Sequence, residues 1–180
     1  MHLNHNQIER MAGLEPILEL FRSGKYSDED EIVTCEIKPF IEKMKKYGFI
    51  SVYELECTYS DCVPIFISKR ASQSGCVDGF QVVFSKLVPV AVVGKSSVYY
   101  VEGLASYTPL ELSSLESPKR LSCSVSRAIK DTLHMTCYEI SEPYEMNALI
   151  PEDILPLQVP WGRPEKPWNK LYHVAFQESC

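Results

Sequence analysis

The chain has 180 residues, 18 basic and 24 acidic, for a net charge of −6. A chain of this length removes roughly 70% of its unfolded surface from water, enough for one core without disulfide or metal staples. The acidic balance speaks against nucleic-acid binding, which needs a basic surface, and no apolar run approaches the ~20 residues of a bilayer span.

Ile8, Met11, Leu14, Leu18 and Phe21 fall near a helical stripe that Pro16 interrupts. A second helix is predicted from Ser27 as N-cap. Asp28, Glu29, Asp30 and Glu31 sit at the positive end of its dipole, and Lys43, Lys45 and Lys46 precede Gly48 at the other. Pro39 predicts a kink, or two helices meeting near Lys38. The alternation from Tyr53 to Tyr59 predicts a half-buried strand. Val63–Ser68 is a second strand, placed at a sheet edge because Pro64 has no amide hydrogen for a ladder. A third, Phe80–Ser85, is entered through a turn at Asp78-Gly79. The unbroken apolar run Leu87–Val93 predicts a strand covered on both faces, with Pro89 at its start. Gly94-Lys95-Ser96-Ser97 reads as a turn, after which Val98–Val101 returns. A helix from Ser122 to about Met135 buries Leu121, Val125, Ala128, Ile129, Thr132 and Leu133. Tyr138–Ile140 reads as a strand, Trp161–Trp168 (WGRPEKPW) as a proline-rich turn, and Leu171–Phe176 as an apolar segment open between helix and strand. The fold class is α+β: one domain over residues 1–180, with a central, mostly antiparallel sheet at about 49–103 packed with N-terminal and C-terminal helices.

The first ten residues, MHLNHNQIER, lack the basic start and apolar centre of a secretory signal, so a cytoplasmic location is expected. The seven cysteines then read as reduced thiols acting as small core residues. Gly94-Lys95-Ser96 copies the end of a phosphate-binding loop, but Pro89 stands where its first glycine belongs and Val90–Val93 cannot form an open cradle. The pairs Cys57 with Cys62 and His134 with Cys137 lack the spacing and the second pair of a zinc site. No metalloprotease, lipase or dinucleotide-binding motif occurs. No catalytic residue, metal or cofactor is assigned. A small hydrolase or transferase using carboxylates, or pairing one of the thiols with His134 or His173, remains the alternative.

Two clusters point to protein recognition. The first is Asp28, Glu29, Asp30 and Glu31, joined by Glu54, Glu56 and Asp61, which suits the steering of a basic partner. Its competing reading is helix capping and a solvated strand face. The second is Trp161, Arg163, Trp168 and Tyr172, residue types that dominate interface hot spots, on a loop stiffened by Pro160, Pro164 and Pro167. Its competing reading is a strap folded back onto the core. Monomer and homodimer are both open, the latter through the sheet edge expected near Pro64.

The run Glu36–Gly48 (EIKPFIEKMKKYG) leads into the sheet that carries Phe84–Lys95 (FSKLVPVAVVGK), followed by the helix and strand around Ile129–Ile140 and the closing aromatic stretch Trp168–Phe176 (WNKLYHVAF). In this layout the chain resembles the small acidic immunity proteins encoded beside bacterial polymorphic or contact-delivered toxins. The resemblance implies a cytoplasmic, non-enzymatic protein that binds one cognate toxin and blocks its active site or substrate entry. That family is diverse in fold, so the resemblance leaves the architecture open.

Overall fold

The computed structural model describes residue 19 and residues 37–55, 62–71, 75–86, 88–101, 104–133, 138–150 and 170–176. Helix α1, Lys38–Lys46, carries Pro39 in its first turn, where a missing amide hydrogen costs nothing. Ile37 before it already has helical dihedrals (φ −77°, ψ −44°). Phe40 and Met44, one turn apart, form its buried stripe, and the three lysines of the last turn complement the dipole. Gly48, at φ 81°, lets the chain reverse, with Phe49 N–H donating to Met44 O at 3.3 Å. The N-terminal stripe and the acidic turn at 28–31 lie outside the described residues.

The sheet is α+β in setting and mostly antiparallel: β1 (Ser51–Glu54), β2 (Cys62–Ser68), β3 (Gly75–Ser85), β4 (Val90–Val101) and β5 (Leu104–Tyr107) lie side by side in chain order. A sixth strand, β6 (Glu139–Ile140), runs parallel to the start of β4. The outer side of β4 is covered in three pieces: β6 at Val90–Ala91, the Leu115 bridge at Gly94, and β5 at Val98–Val101.

Three expectations are corrected here. Val63–Ser68 belongs to an interior strand, β2, flanked by β1 and β3. Pro64 is tolerated because its carbonyl accepts from Leu55 N–H at 2.9 Å, just past the last paired residue of β1. Both backbone groups of a residue in an antiparallel pair face the same side, so the missing amide falls on the β1 side and the β3 ladder is intact. The pairing edge expected near Pro64 is therefore closed, and the strand outside it is β1. Asp78-Gly79 lies inside β3, opposite Ser97 and Ser96, instead of turning the chain. Gly94–Ser97 likewise runs through the middle of β4, so the expected turn there is a continuous strand.

Helix α2, Cys123–Leu133, follows Ser122, whose Oγ accepts from Val125 N–H at 3.4 Å. It lays Val125, Ala128, Ile129, Thr132 and Leu133 onto one sheet face beside α1, burying Val52, Ile65, Ile67, Val82, Phe84, Ala91 and Val93. Phe84 is the pivot of this core. Its ring meets Phe40 and Tyr138 edge-on, both at 5.1 Å, and each such pair adds about 0.5–1.5 kcal/mol beyond the area buried. The opposite face is covered by α3 (Pro143–Met146) and α4 (Leu171–Ala175), which close over Cys62, Val83, Val90 and Val92. With both faces covered, β4 begins as the doubly buried strand that its unbroken apolar run predicts. Leu171–Phe176, open between helix and strand, is helical. Among the described residues no helix is long and apolar enough to cross a membrane.

Candidate functional site

Beyond the helices, the β3–β4 ribbon changes character along its length. On the α2 side the register pairs run Phe84 with Ala91, Val82 with Val93, Phe80 with Lys95, Asp78 with Ser97 and Cys76 with Tyr99. Because side chains alternate across a strand, these five pairs share one face, which passes from apolar to polar along the ribbon. At the polar end the face opens into a cleft of about 730 Å³, within the roughly 300–1,000 Å³ common for ligand sites. Phe49, Phe80, Leu110 and Val125 supply its apolar lining, and Lys69, Arg70, Asp78, Lys95 and Tyr99 its charged and phenolic groups.

The walls are held by side-chain hydrogen bonds. Ser68 is buried, and its hydroxyl donates to Asp78 O at 2.8 Å while accepting from Arg70 N–H at 3.1 Å. Ser51 donates to Arg70 O at 2.7 Å, and Ile50 N–H to Ser68 O at 2.9 Å. The dibasic turn Lys69-Arg70 is thus pinned from both sides. Gln81, fully buried, donates through Nε2 to Ser96 Oγ at 2.6 Å and to Thr108 O at 3.0 Å, tying β3, β4 and the segment after β5 together. Its Oε1 is buried and has no hydrogen-bond partner among the described residues.

The charges are unevenly matched. Lys95 Nζ lies 3.3 Å from Glu116 Oε1, and Asp78 Oδ1 accepts from Ser97 Oγ at 2.7 Å. Lys69 Nζ sits over the Phe49 ring, 5.6 Å from its centroid, a contact that leaves its charge unneutralised. At the mouth, the phenol of Tyr99 is held above its ordinary value of 10.0, first by its hydrogen bond with Cys76, then by the charge of that thiol's ionised form, by burial and by Asp78.

Of the residues singled out from sequence, Glu54 is exposed at the far end of β1. It pairs with Ile65, whereas Ser51, three residues back, pairs with Ser68 beside the cleft. That places it about 10 Å along the strand, at about 3.3 Å per residue. Tyr172 is buried against the second sheet face, stacked on Phe176 at 5.5 Å, with its hydroxyl donating to Leu110 O. It is a core residue that offers no surface to a partner. Asp28, Glu29, Asp30, Glu31, Glu56, Asp61, Trp161, Arg163 and Trp168 lie outside the described residues, as do Cys57, His134 and Cys137. Cys62 is a buried thiol in the apolar cluster beneath α4, and His173 Nδ1 accepts from Lys170 N–H at 3.3 Å. Cys76, in contrast, is an exposed thiol on the polar end of the ribbon.

The cleft residues Lys69, Arg70, Asp78, Lys95, Ser97 and Tyr99 were not singled out by sequence reasoning. Their signal is the alternation Cys76, Asp78, Phe80, Val82, Phe84, which becomes visible only when Gly79 is read as part of the strand. Among the described residues no three histidine, cysteine or acidic side chains gather as a metal site. The chain matches no family model, no curated protein and no solved structure.

Proposed function

We propose that this chain is a non-enzymatic binding protein that seats a segment of a partner protein in the cleft at the polar end of the β3–β4 ribbon. Within that class it is an antagonist, in the manner of bacterial immunity proteins, acting in the cytoplasm on one cognate toxin. The observation that carries the reading is the cleft: open, apolar-lined, charged at its rim, and built on a ribbon whose other end is locked in the core. Rigid walls reduce what must be ordered on binding. A net charge of −6 favours encounter with a partner of opposite overall charge.

Protection is the test. Cells producing the toxin encoded beside this chain are expected to survive when the chain is co-expressed, and the purified pair to form a one-to-one complex. Death despite co-expression, together with no complex by titration calorimetry, would overturn the reading.

A further inference from the structure

We infer that the segment seated in the cleft is acidic, an extended peptide whose carboxylates meet Lys69 and Arg70 while an aromatic or aliphatic side chain packs beside Phe49 and Phe80. The inference rests on the binding reading above and specifies its occupant.

The cleft lining carries three cations against one carboxylate. Asp78 is engaged by Ser97, and Lys95 by Glu116. Lys69 and Arg70 make no ion pair among the described residues, although the chain as a whole is acidic. Their backbone is already fixed by Ser51 and Ser68. A preset pair of cations on neighbouring residues recognises carboxylates at lower entropic cost than two flexible surface lysines. The guanidinium adds a planar fork suited to bidentate carboxylate binding. The overall negative charge and these local cations act at different stages. Long-range charge governs encounter, whereas the contacts at the rim govern which segment is seated. A polyanionic nucleic acid is disfavoured at the first stage, and an acidic stretch of a basic protein passes both.

A display library of random heptapeptides, selected on the immobilised full chain, separates the outcomes. The expected result is recovery of peptides rich in aspartate and glutamate with at least one aromatic or aliphatic residue. Synthetic copies should shift the backbone amide resonances of residues 68–70 and 78–80. Their affinity should fall about tenfold or more in the Lys69→Glu/Arg70→Glu double variant, hold in Lys69→Arg, and weaken as salt rises. Both positions are exposed, and a circular-dichroism melt like that of the parent shows that the double variant is folded. Neutral or basic peptides that shift the same amides, with affinity unmoved by the double charge reversal, would overturn the acidic occupant and leave the cleft as a peptide site. Failure of every recovered peptide to perturb the cleft would overturn both readings.

Discussion

The ring of Phe66 in β2 occupies the space that a side chain at Gly79 in β3 would need. A β-carbon built on Gly79 lies 2.7 Å from Phe66 Cζ and 2.4 Å from Ile67 O. One of those atoms is backbone in a paired strand and the other belongs to a fully buried ring, so neither can move cheaply. Gly79→Ala is therefore expected to destabilise the fold by about 1–3 kcal/mol, lowering the melting temperature by roughly 2–4 °C per kcal/mol. Thermal denaturation followed by circular dichroism measures it. A melt unchanged within error would mean that the β2–β3 spacing relaxes to admit a methyl group.

Ser68 plays a different part, since it stabilises the turn next to the cleft more than the core. Removing its hydroxyl in Ser68→Ala deletes the bond to Asp78 O and leaves Arg70 N–H without that acceptor. The expected loss is about 0.5–1.5 kcal/mol, the net worth of hydrogen bonding by a hydroxyl whose exposed partners can turn to water. Its more telling signature is local. Amide hydrogen exchange at Lys69 and Arg70 should accelerate well beyond the change at Val82 or Ile129, which sit in the main core. Uniform acceleration across the chain would show that Ser68 contributes only to global stability.

Much of the fold was legible because its signals are local. The reversal at Gly48, the buried face of α2 and the doubly covered start of β4 all follow from periodicity and capping chemistry within a few residues. The length of the β3–β4 ribbon was not, because Asp78-Gly79 and Gly94-Lys95-Ser96-Ser97 carry turn chemistry on their face. The glycines serve tertiary contacts instead. A β-carbon on Gly94 would lie 2.8 Å from both Leu110 Cδ2 and Ser114 O, so the segment after β5 can cross β4 only where the side chain is absent. Reading those glycines as turns hides the cleft, since the residues that form it lie on the stretch of ribbon that such turns would remove.

Pro64 was misplaced for a related reason: a missing amide matters only on the side of the strand toward which it points. Its carbonyl already meets Leu55 where β1 ends. Restoring the amide in Pro64→Ala supplies no bond to β3, so the variant loses mainly the stiffness that proline lends the unfolded chain, about 0.4–1 kcal/mol. Denaturant unfolding should show a small loss with an unchanged slope. A clear gain in stability would mean that the restored amide finds the Leu55 carbonyl on the β1 side and extends that ladder by one bond.

At the mouth of the cleft, Tyr99 faces Cys76 across β3 and β4, and their hydrogen bond is the first cause holding the phenol above 10.0. The raised value means that the folded state favours the protonated phenol. This contribution to stability is complete below pH 10, the unfolded value, and is lost as pH rises through the folded one. Tyr47 is shifted in the same direction, chiefly by its 2.9 Å hydrogen bond to Asp131, so a bulk phenol titration reports both. The difference between ultraviolet titrations of the parent and of Tyr99→Phe isolates Tyr99, and its midpoint should lie above 10.0. Repeating the pair in a Cys76→Ala background should bring the midpoint back toward the ordinary value, because the largest cause is removed while Asp78 remains. A midpoint indifferent to Cys76 would assign the shift to Asp78 and desolvation instead. It would also leave the phenol uncoupled from the thiol, whose own hydrogen bond runs to Asp78 Oδ1 at 4.0 Å.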